Sequence, residues 1–434
     1  MIAAAPNELL VDEYELAMAD SYLAEGKDSL PVAFELFARE LPPNRGYLVA
    51  AGLDRAVEVL TELRFCDESL RYLERARICS PELIARLAEV EFTGDLAAVP
   101  EGTVVHAREP ILRVEGDLLT CQLVESLLLN QVNFQTLIAT KATRLTEAAA
   151  GRPVVDFGFR RAHGADAGVL AARAAYIGGC VATATVAAGY LYGVPTTGTM
   201  AHSYILSFPT DVEAFVAFMR HHPTRSTLLI DTHDPIAGAH AAVAAARETG
   251  IRPQAVRIDS GDLATLTCEV REVLDDGGLP ETQIVCSGDL DEYRIADLLA
   301  AGAMIDGFGV GTALTTSNDA PALGGVYKLV ESGGRAVMKA RGRKSNLPGR
   351  HQVFRGDDGD VIGLADEDLP GRPLLTAVLD AGRRTAAAPP IEEARDRAAA
   401  EVAALPARVR ALRDPDTLPP RLSARLQALE EELR

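Results

Sequence analysis

From residue 150 to residue 312, short apolar runs alternate with polar turns and with longer stretches whose apolar positions recur at helical spacing. Repetition of strand, turn and helix without hairpin signals predicts right-handed βαβ crossovers and a parallel sheet. A closed eight-stranded barrel usually needs about 250 residues, so this shorter stretch favours an α/β fold with an irregular, incomplete barrel. The predicted strands lie at residues 154–159, 196–200, 227–230, 255–258, 283–286 and 305–310.

The chain on either side of this core predicts a second domain. Residues 1–130 mix helical and β-like runs, and a strand pattern returns at Gly324-Gly-Val-Tyr-Lys-Leu-Val-Glu331. We expect residues 1–130 with 324–385 to form one discontinuous α/β domain, and residues 131–323 to form the irregular barrel. Residues 386–434 carry two charged amphipathic patterns and are predicted to be a helical C-terminal tail.

The composition of the chain excludes some classes of function and leaves others open. The formal net charge of −19 over 434 residues argues against a nucleic-acid surface, which needs a basic face. An anionic small molecule remains compatible, because a few local arginines can outweigh a distant acidic surface. No apolar stretch reaches the ~20 residues of a membrane span, and the N-terminus lacks a signal-peptide pattern. The six cysteines form no CxxC pair, which favours reduced thiols in a cytoplasmic protein.

Two apolar runs end abruptly in groups that bind sugars and phosphates, Gln254-Ala-Val-Arg-Ile-Asp-Ser-Gly-Asp-Leu263 and Ile305-Asp-Gly-Phe-Gly-Val-Gly-Thr312. Open α/β sheets bind ligands at the carboxyl ends of their strands. Asp259 and Asp262 can accept hydrogen bonds from sugar hydroxyls or hold a hard cation. The glycines beside Phe308 let backbone N–H groups approach a phosphate. Together these features indicate a phosphorylated ribose.

Two other strand ends carry titratable side chains. His202 follows the predicted strand at 196–200 and can be a nucleophile, a general base, a phosphate carrier or a structural hydrogen-bonding residue. Asp231 and Asp234 can bind magnesium, although Asp234 before a proline fits a helix N-cap equally well. The spacing alone leaves these alternatives open.

A basic doublet, Arg160-Arg161, follows the apolar strand that ends near Phe157. An unpaired buried guanidinium is costly, so one of the two arginines is expected to bind a phosphate or a carboxylate. Phe157 can offer its face to a flat ring, although core packing is the commoner role of phenylalanine. A second basic run, within residues 339–350, is either solvated or contacts a polyphosphate.

These residues carry a resemblance that extends nearly from end to end of the chain. The chain resembles the nicotinate phosphoribosyltransferase family. The motifs that carry the resemblance are Asp12-Glu-Tyr14, Phe34-Glu-Leu-Phe37, Asn44-Arg-Gly-Tyr-Leu-Val-Ala-Ala-Gly-Leu53, Phe157-Gly-Phe-Arg-Arg-Ala-His-Gly164, Gly198-Thr-Met-Ala-His-Ser203, Arg257-Ile-Asp-Ser-Gly-Asp-Leu263, Asp289-Leu-Asp-Glu-Tyr293, Phe308-Gly-Val-Gly-Thr312, Gly324-Gly-Val-Tyr-Lys-Leu-Val330 and Leu347-Pro-Gly-Arg350.

The resemblance implies a type II phosphoribosyltransferase fold, an irregular α/β barrel plus a discontinuous α/β domain, paired as a homodimer with active sites shared at the interface. It implies that nicotinate attacks C1 of phosphoribosyl pyrophosphate, with Mg²⁺ as cofactor, to give nicotinate mononucleotide and pyrophosphate for NAD biosynthesis. It also implies ATP as co-substrate, hydrolysed through a phosphohistidine at His202.

The family's site residues transfer to matching positions of this sequence. The resemblance assigns catalytic roles to Arg257 and Asp259 beside His202. It places Tyr14, contributed by the second subunit, with Phe157 and Arg160 around the pyridine base. Residues that the resemblance assigns to the phosphoribosyl group are Asp231, Ser260, Gly261, Gly288, Gly309, Gly311 and Thr312.

The sequence also departs from the family pattern. Ala184 stands where the nicotinamide-using branch has an acid that accepts from the amide. Its absence disfavours nicotinamide, because no acid fixes the amide and none repels a carboxylate. His233, Gly288 and Ala313 replace a tyrosine, an asparagine and an arginine that are common in relatives, and these changes can alter ATP coupling or the accepted base.

Three alternatives compete with nicotinate transfer. A phosphoribosyltransferase for another pyridine base, nicotinamide or quinolinate, would keep the sugar site. Quinolinate is disfavoured because its second carboxylate demands more basic residues than the region of Arg160 and Arg161 offers. A sugar-phosphate aldolase or isomerase would require a lysine or an acid–base pair at a strand end, and the core strands end without a lysine. A non-catalytic ribose-phosphate-binding paralogue would not need His202 together with Asp259.

Overall fold

The computed structural model describes residues 6–339 and 346–434. Residues 340–345, which hold most of the basic run predicted at 339–350, lie outside the described part. Backbone contacts divide the chain into two compact units, residues 1–137 with 322–434 and residues 138–321. The helix α6 (Glu125–Ala148) contributes residues to both units.

Antiparallel strands dominate the first unit. A seven-stranded sheet has the order β13-β12-β1-β5-β3-β17-β18, a four-stranded sheet the order β16-β14-β15-β19, and β2 pairs with β4. The strands are β1 (Pro31–Ala38), β2 (Leu48–Val49), β3 (Asp95–Ala98), β4 (Val104–Val105), β5 (Pro110–Asp117), β12 (Gly325–Ser332), β13 (Arg335–Ala336), β14 (His351–Gly356), β15 (Gly359–Leu364), β16 (Arg372–Pro373), β17 (Thr376–Asp380), β18 (Arg383–Arg384) and β19 (Arg421–Leu422). The helices are α1 (Glu13–Ala24), α2 (Leu53–Thr61), α3 (Asp67–Ala76), α4 (Pro81–Leu87), α5 (Leu118–Leu123), the start of α6, α15 (Ile391–Ala404), α16 (Ala407–Arg410) and α17 (Ala424–Glu432), with a 3₁₀ turn at Asn7–Leu9.

The core of this unit is built on β1, which lies between β5 and β12 and is buried along nearly its whole length. Phe34 stacks on Tyr327 with the ring centroids 4.7 Å apart, and the buried Tyr327 hydroxyl donates to the Cys121 carbonyl at 2.9 Å. Glu35, also buried, accepts from His351 Nδ1 at 2.6 Å. The late strand β12 therefore completes a core that the N-terminal residues begin.

The predicted C-terminal segment contains a strand as well as helices. Besides α15, α16 and α17, residues 386–434 contribute β19, which pairs in parallel with β15. Val409 and Leu426 from this segment are buried.

The second unit contains a parallel sheet of six strands in the order β7-β6-β11-β10-β9-β8. Its first and last strands do not pair with each other, so the predicted α/β class with an incomplete barrel is confirmed. The strands are β6 (Val154–Asp156), β7 (Ala182–Thr183), β8 (Thr227–Leu229), β9 (Ala255–Ile258), β10 (Gln283–Cys286) and β11 (Gly307–Val310). The helices are the end of α6, α7 (Ala165–Ile177), α8 (Val186–Tyr192), α9 (His202–Ile205), α10 (Asp211–His221), α11 (Pro235–Thr249), α12 (Leu263–Asp276), α13 (Glu292–Ala300) and α14 (Thr312–Thr315), with a 3₁₀ turn at Phe159–Arg161.

One predicted strand is wrong. Residues 196–200 form no strand, and only Thr196 makes a single bridge, to Thr183. The edge of the sheet is instead β7, which the sequence did not predict. Pro195 has no N–H to donate to a ladder, and the pairing is limited to bonds from Thr183 N to Pro195 O and from Thr197 N to Thr183 O. The residues before His202 therefore form a loop.

Among the described residues, no helix is both long and apolar enough to cross a bilayer. All six cysteines are free thiols.

Candidate active site

The predicted sugar and phosphate groups gather at one edge of the parallel sheet. Asp259 follows β9, Gly288 follows β10, Gly311 follows β11 and Asp231 follows β8. Phe157 follows β6, which lies beside β11. Because all these strands are parallel, their carboxyl ends share one edge, where open α/β sheets bind ligands.

Asp231 connects the ends of β8 and β9. Its Oδ2 accepts from Asp259 N at 2.8 Å and from Ser260 Oγ at 2.9 Å. Its Oδ1 is buried and has no hydrogen-bond partner among the described residues. The carboxylate thus shapes the turn at Asp259 and keeps one oxygen for a further ligand.

Arg257 is the buried cation of the site. Its side chain is 10% exposed, and Nη1 lies 3.8 Å from Asp259 Oδ1. Its Nη2 donates to the Met200 carbonyl at 3.1 Å, while Nε is buried without a partner in the described part of the chain. Burial lowers the pKa of Arg257 and the charge of Arg160 lowers it further, whereas Asp259 and Asp231 oppose this change.

A cavity of about 350 Å³ opens beside these groups. The Cζ atom of Arg257 lies 6.0 Å from the centre of the Phe157 ring, and both residues line the cavity. The remaining lining residues are Phe159, Arg160, Ala184, Gly198, Thr199, Met200 and Ala201. Within the described chain, the lining therefore holds two guanidinium groups and no acidic side chain.

The arginine doublet is not buried, so the prediction that burial makes one of its arginines bind an anion is wrong. Arg160 and Arg161 are both exposed, because the chain leaves β6 and enters the 3₁₀ turn Phe159–Arg161 at the surface. Arg160 still lines the cavity, so its predicted position beside Phe157 holds. The buried arginine of the site is Arg257, whose Nη1 lies 3.8 Å from Asp259 Oδ1.

Glycine is required for steric reasons at two of the predicted positions. A Cβ on Gly288 would lie 1.9 Å from the Asp259 carbonyl oxygen, and its φ of +93° is left-handed. A Cβ on Gly309 would lie 2.2 Å from Cε2 of the Phe157 ring. Gly261 also has a left-handed φ, of +91°. A side chain at any of these positions would introduce a clash or an unfavourable backbone conformation.

His202 lies at the first position of α9 and is half-buried. Its Nδ1 is 3.1 Å from Thr232 Oγ1, one residue after Asp231. His233 points elsewhere, since its Nδ1 is 3.1 Å from Asp211 Oδ1 at the surface. His202 therefore contacts the loop that follows β8, whereas the side chain of His233, which belongs to that loop, contacts Asp211.

The remaining candidates are one acid, Asp234, and two predicted site residues, Thr312 and Tyr14. Asp234 caps α11 by accepting from Ala237 N at 2.8 Å, which selects the capping alternative. Thr312 begins α14, after β11. Tyr14 lies on α1 of the first unit and is 46% exposed.

Sequence reasoning missed two residues that support the site. Ser287 Oγ donates to Asp259 Oδ1 at 2.5 Å. Asp156, 1% exposed, accepts from Thr183 Oγ1 at 2.7 Å and from Gly158 N at 2.8 Å, and burial raises its pKa. Both lie directly at strand ends, which was the available signal.

The described residues contain no group of three or more His, Cys, Asp or Glu side chains arranged to hold a metal ion. Mg²⁺ usually keeps several waters and binds through one or two carboxylates plus substrate phosphates. The unpartnered oxygen of Asp231, with Asp259 next to it, fits that kind of site and not an all-protein cage.

Comparison with known proteins identifies the family. The family model for the nicotinate phosphoribosyltransferase (NAPRTase) N-terminal domain matches residues 9–133. A Mycobacterium tuberculosis protein, nicotinate phosphoribosyltransferase pncB2, is 46% identical over 414 residues, covering 94% of this chain and 89% of the relative. The chain belongs to the nicotinate phosphoribosyltransferase family.

Other members of the nicotinate phosphoribosyltransferase family agree with this assignment. The Bacillus subtilis protein of that name is 41% identical, covering 85% of this chain and 78% of the relative. The crystal structure of human nicotinic acid phosphoribosyltransferase superposes with a TM-score of 0.86 at 30% identity, covering 98% of this chain and 99% of the human one. The resemblance stated from the motifs is therefore confirmed, and it extends over both units.

Proposed function

We propose that the protein transfers the phosphoribosyl group of phosphoribosyl pyrophosphate to nicotinate, in NAD biosynthesis. The pyridine nitrogen forms a bond to C1 of the ribose while the bond from C1 to the pyrophosphate oxygen breaks. The products are nicotinate mononucleotide and pyrophosphate. Family membership supports the reaction class, and the geometry of the second unit supports the choice of base.

The choice of nicotinate over nicotinamide rests on the charge of the side chains that line the cavity. Its lining in the described chain combines the Phe157 ring with the guanidinium groups of Arg160 and Arg257. A flat ring can lie against Phe157, and a carboxylate can accept from a guanidinium with bidentate geometry. Nicotinate has both features. Nicotinamide has no charge for the arginines, and Ala184 offers its amide no acceptor.

The sugar phosphate is assigned to the neighbouring strand ends. Asp259, placed by Asp231 and Ser287, accepts from the ribose hydroxyls, and Ser260 and Gly261 complete that turn. The 5′-phosphate is assigned to the backbone N–H groups of Gly288, Gly309, Gly311 and Thr312, which lie at or just after the carboxyl ends of β10 and β11.

Catalysis follows from positioning and charge. As the bond from C1 to the pyrophosphate breaks, the ribose develops oxocarbenium character, which the nearby carboxylate of Asp259 stabilises. Arg257 holds the Met200 carbonyl and so keeps the loop that precedes His202 against the cavity. Asp231 and Asp259 are the residues that would hold Mg²⁺ together with the substrate. When bound, that ion neutralises charge on the departing pyrophosphate.

ATP coupling is proposed to use His202. The bond to Thr232 occupies Nδ1 and leaves Nε2 as the nucleophile for the γ-phosphoryl group. In that step the P–N bond forms, the bond to the bridging oxygen breaks and ADP leaves. Water later hydrolyses the phosphohistidine and releases phosphate.

A homodimer with shared active sites is proposed to supply Tyr14 to the pyridine ring. Tyr190 and Val186 on α8 are 88% and 75% exposed, an apolar surface suited to a second copy. Mixing Tyr14→Ala with Asp259→Ala tests the sharing, because each mixed dimer would hold one intact site. Restored turnover supports shared sites, and activity no higher than in either variant alone contradicts them.

We also propose a domain assignment, which the division of the chain into two compact units supports. Residues 1–130 with 324–385 form the discontinuous α/β domain, and β19 attaches the C-terminal segment to it. A cytoplasmic location remains a prediction from the cysteines.

The reaction is tested by mixing the purified protein with phosphoribosyl pyrophosphate, Mg²⁺ and nicotinate, with and without ATP, and quantifying the mononucleotide, pyrophosphate and ADP. Formation of nicotinate mononucleotide, at a rate raised by ATP, is expected. No mononucleotide with any pyridine base would overturn the transferase proposal and leave the binding paralogue.

A further inference from the structure

Four charged side chains form a cluster in the second unit, apart from the residues assigned to substrates: Lys141, Arg144 and Glu292 are buried, and the Asp319 side chain is 25% exposed. The side chains of Lys141 and Glu292 are 1% and 0% exposed. Lys141 Nζ donates to Glu292 Oε2 at 2.5 Å and to Asp319 Oδ1 at 2.8 Å. Arg144 Nε donates to the other oxygen of Glu292, Oε1, at 2.9 Å. Two cations thus meet two carboxylates.

The two carboxylates belong to the two segments that carry the proposed phosphate-binding backbone. Glu292 is the first residue of α13, at the end of the turn that contains Gly288. Asp319 follows α14, which begins at Thr312. The ammonium group of Lys141, on the long helix α6, contacts both carboxylates and so connects the turn after β10 with the segment after β11.

This connection acts on a turn whose backbone is strained. Gly288 and Asp289 both have left-handed φ angles, of +93° and +47°, and a non-glycine residue in this region needs support from its surroundings. Burial acts to raise the pKa of Glu292, but Lys141 and Arg144 outweigh it, so the pKa is lowered. Glu292 is therefore an anion that holds the end of the turn on α6.

We infer that Lys141 is a positioning residue for the phosphoribosyl group. Its bonds to Glu292 and Asp319 fix the distance between the turn that contains Gly288 and the segment that begins at Thr312. Both segments can then donate backbone N–H groups to one phosphate. This inference rests on the proposed function for the identity of the substrate. The positioning itself is independent of turnover, because a sugar phosphate can be bound without any reaction.

The test compares Lys141→Met with the wild-type protein by two measurements. Calorimetry with ribose 5-phosphate measures the phosphate site alone, and steady-state kinetics give KM separately for phosphoribosyl pyrophosphate and nicotinate. Small displacements of positioning groups can cost up to about 100-fold. Lys141→Met is expected to weaken ribose 5-phosphate and to raise KM for phosphoribosyl pyrophosphate by roughly tenfold or more, with KM for nicotinate unchanged.

Arg271→Met is the matched control. Arg271 is also a largely buried cation in this unit, with a side chain 15% exposed, but it donates to the carbonyls of Thr282 and Leu279 before β10, at the opposite edge of the sheet. It is expected to lower thermal stability and to leave ribose 5-phosphate affinity unchanged. If Lys141→Met does not fold, Asp319→Asn tests one arm of the same connection, because that side chain is 25% exposed.

Three results with the variants would overturn the inference. They are unchanged ribose 5-phosphate affinity in Lys141→Met or Asp319→Asn, an equal rise of both KM values, and equal weakening by Arg271→Met. Wild-type protein that binds no ribose 5-phosphate would also overturn it. Wild-type protein that binds ribose 5-phosphate but makes no mononucleotide would instead refute the proposed function, and the affinity of the variants would still decide the role of Lys141.

Discussion

Replacing Asp231 by alanine is expected to disconnect the ends of β8 and β9 and to misplace the carboxylate of Asp259. The wild-type carboxylate accepts from Asp259 N and Ser260 Oγ. A hydrogen bond to a charged group contributes about 1.5–3 kcal/mol, so two of them hold this turn by roughly 3–6 kcal/mol. Even the lower value exceeds the ~2.7 kcal/mol that corresponds to a 100-fold change, so kcat/KM is expected to fall by at least about 100-fold.

The assay is kcat/KM for phosphoribosyl pyrophosphate in Asp231→Ala, Ser260→Ala and the double variant. A double-mutant cycle should give a coupling of about 1.5–3 kcal/mol between the two side chains. Asp234→Ala is the control, because Asp234 lies three residues further on and only caps α11. Asp234→Ala should lower the free energy of unfolding by about 1 kcal/mol and leave kcat/KM unchanged. A fall of less than about tenfold in Asp231→Ala, or additive losses in the double variant, would show that Asp231 does not position this turn for the reaction.

Three further predictions follow from single contacts. Gly309→Ala should raise KM for nicotinate, because its Cβ would lie 2.2 Å from the Phe157 ring. An unchanged KM for nicotinate in steady-state kinetics would contradict this. His202→Ala should abolish the acceleration by ATP and the ³²P label on the protein, while basal transfer persists; a labelled variant would rule out this histidine. Glu15 is buried, and burial raises its pKa from 4.5 to about 7. The folded state therefore binds a proton more tightly than the unfolded state, so the free energy of unfolding falls as the pH rises between these two values. Glu15→Gln should therefore gain on the order of 2 kcal/mol relative to wild type at pH 8 but not at pH 4, and a pH-independent difference in melting temperature would argue against it.

Much of the second unit could be predicted from the sequence. The bounds of β9 and β10 were predicted to the residue, because each is an apolar run between polar turns. The strand expected at 196–200 failed, because its threonines fit a strand by propensity while Pro195 and the loop before His202 limit the pairing to one bridge. The short edge strand β7 has only two residues and left no periodic signal.

The candidate site was predictable in position but not in its contacts. Parallel strands bring their carboxyl ends together, so Asp231, Asp259 and Gly288 could be expected at one edge. No local pattern indicates that Asp231 accepts from the next strand's turn, or that Arg160 is exposed while Arg257 is buried. Those facts depend on side-chain packing between residues distant in sequence.

We propose that the cavity beside Phe157 accepts a pyridine carboxylate because two arginines, and no acid among the described residues, line it. The most direct test is the ratio of kcat/KM for nicotinate to that for nicotinamide, in the wild type and in Ala184→Asp. We predict a ratio above about 100 in the wild type, the size that one good ionic hydrogen bond provides, and a sharp fall in Ala184→Asp. Equal use of the two bases by the wild type, or a ratio that Ala184→Asp leaves unchanged, would contradict the claim.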